Sequence, residues 1–291
     1  MKFIHTFWSK PLFNNKFNKF ETLIKCTLLD YAYSAHCVKK FGEKIILFTD
    51  KKGADILSPI QYDEVHIIND IDKESIHFAA QIKFIALKNS DLGDVLIDGD
   101  LFLSKKDSID ILKNKLKEND VVYSFFEPHE YTVKGNMDEY YINLINKLNV
   151  IKYQKPYKLP RKFEELNWMN TSLMGFTNQT LKDEYINQYN HHKSLLNNID
   201  FDQVWPDIII EQYFLTLLCK NYKSSPIIEN FFYDIGCNQY ALNIGFTHLG
   251  IFKPNYNDYC NNILKKENPK LCNELWFMIN KQINEYKEKL N

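Results

Sequence analysis

The sequence predicts an α/β protein with a central, mostly parallel sheet flanked by helices and a site at the carboxyl ends of its strands. Three observations carry this expectation. Short apolar runs alternate with helically spaced apolar residues from Lys2 to Phe126, the order that builds parallel sheets with helical crossovers. The run VLI-DGD-LFL (Val95–Leu103) sets an Asp-Gly-Asp step between two apolar segments. Finally, 45% hydrophobic and 15% aromatic residues in a chain of 291 are ample for a large core, while 25% charged residues is the ordinary globular share.

The elements follow in order. KFIHTFW (Lys2–Trp8) is a buried strand. A loop through Lys10-Pro11 and Asn14-Asn15 leads to a helix on which Phe20, Leu23, Ile24, Thr27, Leu28, Tyr31, Ala35 and Val38 recur at helical spacing, with Gly42 placed to end it. KIILFTD (Lys44–Asp50) and VHIIND (Val65–Asp70) are the second and third strands. Phe78, Ile82, Ile85 and Ala86 mark an amphipathic helix before the Asp-Gly-Asp strand. A helix around Ile109–Leu116 then precedes the strand VVYSFF (Val121–Phe126). Residues 128–167, rich in Tyr, Lys, Asn and Pro, are expected to make excursions around a site. WMNTSLMGF (Trp168–Phe176) is a strand, and helices are expected at about 179–196 and 206–221, with Pro206 in the first turn of the latter. After HLGIFKP (His248–Pro254) comes a C-terminal helical tail carrying Leu271, Leu275, Ile279, Ile283, Tyr286 and Leu290. No linker divides the chain cleanly. The expected organisation is a catalytic domain over 1–255, with the helical tail 256–291 packed on it or in peripheral contact with a membrane.

Charge gives no support to nucleic acid as a partner: 36 basic against 37 acidic residues leave a net charge of −1 and no global field, though a local basic groove would not show in this total. The opening residues contain no long apolar run of the signal-peptide kind, and no segment reaches the ~20 residues of a membrane span. The expected location is the cytoplasm, or the inner face of the membrane. Six widely spaced cysteines without a CxxC pair are expected as buried or free thiols rather than a zinc site or disulfide framework.

The chemistry centres on Asp98 and Asp100. Two carboxylates one residue apart at the end of a buried strand can converge on one hard cation, where open α/β sheets gather ligands. A divalent ion there neutralises a diphosphate leaving group. The competing reading is a hairpin, with Gly99 supplying a positive φ. Three further features point to a site. His248 offers an imidazole, which beside two carboxylates suits Mn²⁺ better than Mg²⁺, and Lys253 offers a cation for a phosphate. Glu211-Gln212 sits in the apolar run IIIEQYFLTLL, where a carboxylate is costly unless paired or used. Asn170, Thr171 and Ser172 are polar groups inside a buried strand, able to bond sugar hydroxyls or each other. Thr49-Asp50 has a plain alternative as a strand-end turn or N-cap, and Lys83, on sequence alone, belongs on a solvated helix face.

The succession of the LFTD strand, the helix bearing Lys83, LIDGD, NTS, EQ and HxGxxKP resembles the GT-A glycosyltransferases. More narrowly, it is similar to the glycogenin and lipopolysaccharide galactosyltransferase group and to bacterial capsule-type transferases that open on a segment like IHTFW. The resemblance spans most of residues 1–255. It implies a Rossmann-like GT-A fold, Mn²⁺ or Mg²⁺ as cofactor and a UDP-sugar donor. It implies a glycan or lipid-linked acceptor in surface-polysaccharide synthesis. Carried over by position, Asp98, Asp100 and His248 would hold the metal, Asp98 also facing the ribose. Lys253 would assist at the phosphate, Glu211 and Gln212 would lie by the reacting sugar, and Asn170 would bind the donor sugar. His5, Phe7, Thr49 and Asp50 would lie at the nucleotide end, and Lys83 would reach the donor. The chain departs from the group at Ser172, where the group has Gly, and in HxGxxKP, one residue shorter than the group's spacing. The rival readings are a phosphotransferase or phosphohydrolase with Asp98 as nucleophile, disfavoured by the Leu101 that follows the pair, and a catalytically silent sugar-binding protein.

Overall fold

Five of the six residues in strand β1 (Lys2–Phe7) are buried, as a central strand covered on both faces requires. The computed structural model describes residues 1–71, 78–127, 168–196, 209–228, 243–249 and 253–290. The expected excursions at 128–167, together with Pro206 and Gly250, lie outside them. After β1 come α1 (Lys10–Phe13) and α2 (Phe17–Lys40), followed by β2 (Lys44–Thr49), α3 (Lys51–Ile56) and β3 (Glu64–Ile67). Gly42 ends α2 as expected: its φ of 77° is open to glycine at little cost, and its N–H caps the carbonyl of Lys39 at 2.9 Å. Next are α4 (Gln81–Lys88), β4 (Val95–Ile97), β5 (Leu101–Leu103), α5 (Lys106–Glu118) and β6 (Val121–Glu127). The second half holds β7 (Trp168–Met169), β8 (Leu173–Phe176) and α6 (Gln179–Leu196). A π-helical turn at Ile209–Tyr213 runs into α7 (Phe214–Leu218), and β9 (Ser224–Ile228), β10 (Phe246–His248), α8 (Lys253–Glu267) and α9 (Pro269–Glu288) complete the described chain.

The protein is α/β, with one large sheet flanked by helices. The strands run in the order β3-β2-β1-β4-β8-β6-β7, with β9 on β6. Four of the pairings among the described residues are parallel: β1 with β2 and with β4, β2 with β3, and β6 with β9. The three involving β8 and β7 are antiparallel. The parallel half is therefore the N-terminal one, and β8 inserts between β4 and β6 against their direction.

Strand side chains alternate between two cores, as the period of two dictates. Phe3, Ile45, Leu47, Val95 and Ile97 face one side with α2, α8 and α9. Ile4, Ile46, Phe48 and Leu96 face the other with α4, α6 and α7. On the first face Phe20 of α2 stacks on Tyr286 of α9, with ring centroids 4.2 Å apart and planes at 12°, so the C-terminal helices are packed on the sheet's own helical layer. No described helix is long and apolar enough to cross a membrane. The five described cysteines are free and buried.

One rival reading falls and one expectation is corrected. The Asp98–Asp100 segment is not a hairpin: β4 belongs to the large sheet, whereas β5 leaves it to pair with β10 in a separate two-stranded ladder. And Trp168–Phe176 is not one strand. It breaks at residues 170–172 because Asn170 follows β6 by bonding its N–H to Phe125 O (2.8 Å) and its carbonyl to Ser124 N–H (3.2 Å), while its side-chain carbonyl takes the N–H of Ser172 (3.0 Å).

Candidate metal centre

β4 ends at Ile97 and the chain turns at once, closed by the Leu101 N–H to Asp98 O bond (3.0 Å). The N–H of Asp98 is tied to Ser172 O of the neighbouring antiparallel strand (2.7 Å). β5 then pairs with β10 in a register that sets His248 opposite Leu101, and the Leu249 N–H bonds Asp100 O (3.1 Å). A histidine distant in sequence is thereby fastened beside the two carboxylates. Among the described residues, Asp98, Asp100 and His248 bring three candidate ligand atoms within 4.8 Å of one another. His248 Nε2 lies 3.8 Å from Asp100 Oδ2, and both side chains are less than a tenth exposed. The other ring nitrogen, Nδ1, is buried and finds no hydrogen-bond partner among the described residues.

A second cluster adjoins the first. Lys83 of α4 donates to Asp98 Oδ1 and to Glu211 Oε1, each at 2.8 Å, and Thr171 Oγ1 donates to the same Glu211 oxygen at 2.6 Å. The expectation of a solvated Lys83 is thus overturned: its side chain is 16% exposed and it bridges two carboxylates. Burial opposes its charge, but Asp98 and Glu211 outweigh that, and its pKa is held above the ordinary lysine value. Burial raises the pKa of Asp98, as do Asp100 and Glu211, while Lys83 opposes them. Glu211 lies in the π-helical turn, a geometry frequent at functional sites. Its carbonyl also accepts from the Tyr185 hydroxyl (2.8 Å). Its neighbour Gln212 is half-buried, with Oε1 enclosed and lacking a partner among the described residues. Ser172 Oγ bonds Ser124 Oγ at 2.6 Å, so the polar groups of the break at 170–172 are engaged with neighbouring strands and with Glu211.

The expected nucleotide end is placed differently. His5 is wholly buried, its Nδ1 2.9 Å from the Tyr62 hydroxyl and its Nε2 3.0 Å from Ser34 Oγ. Because Ser34 Oγ donates to Leu101 O (2.7 Å), Nε2 must carry the ring proton and Nδ1 must accept. Burial lowers the His5 pKa to about 3, so the ring is neutral. The cause is plain: Nε2 ties β1 through Ser34 of α2 to the backbone beside Asp100, and Nδ1 is taken by Tyr62. Asp50 is also enclosed, its carboxylate accepting from the N–H (2.9 Å) and hydroxyl (2.5 Å) of Ser9 and so linking the ends of β2 and β1. Thr49 and Phe7 are buried at the same two strand ends. Lys253 opens α8, and its side chain lies outside the description.

Sequence reasoning missed Tyr31, Ser34 and Ser124. Tyr31 announced itself only as one more apolar position of α2, and serines carry no signal until the fold gives them partners.

The chain belongs to a family of unknown function (DUF6734), whose match covers residues 1–291. No curated protein matches it. Among solved structures it is similar to the bifunctional IspDF from Campylobacter jejuni, at 13% identity over 79% of this chain and 49% of that one, with a TM-score of 0.36. It therefore spans about half the length of that protein. It is also similar to the galactosyltransferase LgtC in complex with donor and acceptor sugar analogs, at 9% identity over 72% of this chain and 70% of that one, with a TM-score of 0.37.

Proposed function

We propose that this member of the family is a metal-dependent transferase of the GT-A type that moves a sugar from a UDP-sugar to a glycan or lipid-linked acceptor. The observation that carries this reading is the Asp98–Asp100–His248 cluster at the carboxyl end of β4, the place where open α/β sheets bind ligands. Two carboxylates and an imidazole form a donor set suited to Mn²⁺ ahead of Mg²⁺. The His248 ring turns its Nε2 toward Asp100, 3.8 Å from Oδ2, while its buried Nδ1 has no partner among the described residues. When bound, the ion would supply Lewis-acid stabilisation of the donor's diphosphate.

The chain's own groups divide the remaining work. Lys83 bridges Asp98 and Glu211 and holds the two carboxylates at a fixed separation. Thr171 fixes the Glu211 carboxylate from a second side, so that it faces the reacting sugar as an oriented acceptor. It serves as base if the reaction inverts and as a charge stabiliser if it retains. Gln212 offers an enclosed carbonyl to a sugar hydroxyl, Asn170 a contact to the donor sugar, and Lys253 a cation to the phosphates. On this reading residues 1–255 are the catalytic domain and 256–291 its tail, and the protein works in the cytoplasm.

Calorimetry of UDP binding tests the reading. Binding should be tight with Mn²⁺ and weak with a chelator, since the carboxylates reach the diphosphate only through the ion. Equal affinity in both conditions would overturn the metal bridge, and no binding in either would favour a function outside nucleotide-sugar chemistry.

A further inference from the structure

The carboxylates of Asp98 and Asp100 stand beyond the last paired residues of β4 and β1, Leu96 and Ile4. On the β8 side the turn is held by the Asp98 N–H to Ser172 O bond. On the α2 side it rests on Tyr31. A Cβ placed on Gly99 would come within 2.6 Å of Tyr31 Cγ and closer still to Cδ2 and Cε2, so the ring lies directly against the Gly99 backbone. Gly99 is not at positive φ; glycine is required here by close approach, not by turn geometry. The ring is in turn fixed. Its hydroxyl donates to Thr6 O at 2.6 Å, and it meets His5 and Phe7 edge-on, with centroids 5.0 and 5.5 Å away.

We propose that Tyr31 is a positioning residue for the metal carboxylates: a ring tethered to the end of β1 sets the height of the Asp98-Gly99-Asp100 turn by bearing on a glycine that has no side chain to intervene. The proposal rests on the metal reading of that cluster. The physical reason is one of tolerance. Two carboxylates and an imidazole must converge within a fraction of an ångström on one ion, and a turn outside the ladder needs a rigid support on each side. An aromatic ring against bare backbone is such a support, because it can neither shorten nor change rotamer without losing its tether.

The test is a double-mutant cycle read by Mn²⁺ binding to the full-length protein, followed by electron paramagnetic resonance, with the fold checked by near-ultraviolet circular dichroism. Gly99→Ala and Tyr31→Ala should each weaken Mn²⁺ binding roughly tenfold, the usual scale for groups that orient a metal's ligands. The double variant should bind no more weakly than Tyr31→Ala alone, because the three heavy atoms nearest a Cβ at Gly99 all belong to that ring. Tyr31→Phe, which keeps the ring and loses the tether, should weaken Mn²⁺ binding about threefold to fivefold, less than Tyr31→Ala does. A folded Gly99→Ala protein with unchanged affinity, or fully additive losses in the cycle, would overturn the proposal. Should Tyr31→Ala not fold, Gly99→Ala and Tyr31→Phe decide it by the same criteria. Asp100→Asn separates the two levels: if the parent binds no Mn²⁺, or Asp100→Asn binds it equally well, the metal reading itself fails. If only Asp100→Asn loses binding, the metal reading stands and the role of Tyr31 falls.

Discussion

Lys83 links two carboxylates that lie more than a hundred residues apart in the chain, and its removal has a consequence that depends on the metal. Lys83→Met leaves Asp98 and Glu211 facing each other in a buried site without their shared cation. Breaking a buried pair by deleting one partner costs about 3–5 kcal/mol, because an uncompensated charge remains. A divalent ion at Asp98 would restore part of the compensation. Thermal unfolding should therefore show a lower midpoint for the variant without metal, and a larger upward shift on adding Mn²⁺ than the parent shows. An identical Mn²⁺ shift in both proteins would mean that Asp98 does not see the ion.

At the scale of elements, α2 organises the site and is itself anchored at its far end. Glu267, the last residue of α8, accepts from His36 Nε2 at 2.8 Å and from Lys40 Nζ at 2.9 Å. The hydrogen bond from His36, followed by that from Lys40, holds the Glu267 pKa below the usual carboxylate value. A carboxylate whose folded pKa is depressed stabilises the fold fully above its unfolded pKa and loses that contribution as pH falls through the folded one. Glu267→Gln should thus be less stable than the parent near neutrality. The difference should be about 0.5 kcal/mol, the scale of partly exposed pairs; it should shrink once the pH falls below about 4.3, the unfolded glutamate value, and vanish below the lower folded one. Denaturant unfolding across that range checks it; a difference that persists in acid would assign the effect to packing.

At the scale of the whole molecule, the two cores on opposite faces of the sheet differ in what they support. The α2–α8–α9 core lies under the Tyr31 side of the site, and its densest aromatic contact is Phe20 on Tyr286. Phe20 is fully buried, so Phe20→Ala should cost about 3–5 kcal/mol. Phe277 on α9 is 72% exposed, and Phe277→Ala should stay within about 0.5 kcal/mol. Denaturant melts of both variants test whether α9 is an integral part of the fold. Equal, small effects would make the tail a separable appendage.

The α/β class, the strands β1 to β4 and β6, and the end of α2 at Gly42 were legible in the sequence, because period and punctuation are local properties of the chain. So was the placing of Asp98 and Asp100 at the end of a buried strand, because apolar runs flank the step on both sides. Three things were decided only by the tertiary structure. The antiparallel insertion of β8 depends on pairing partners, which side-chain alternation does not encode. The departure of β5 from the sheet, which brings His248 to Asp100 and abolishes the hairpin reading, depends on a ladder formed with a strand near residue 247. Lys83 and His5 changed places for the same reason: a lysine on an amphipathic helix looks solvated and a histidine at a strand end looks available, until the fold surrounds the first with carboxylates and spends both nitrogens of the second on Tyr62 and Ser34. Local sequence determines which groups are present and how the chain is paced between them; the electrostatic surroundings of each group are a property of long-range contacts and exist only once the sheet has closed.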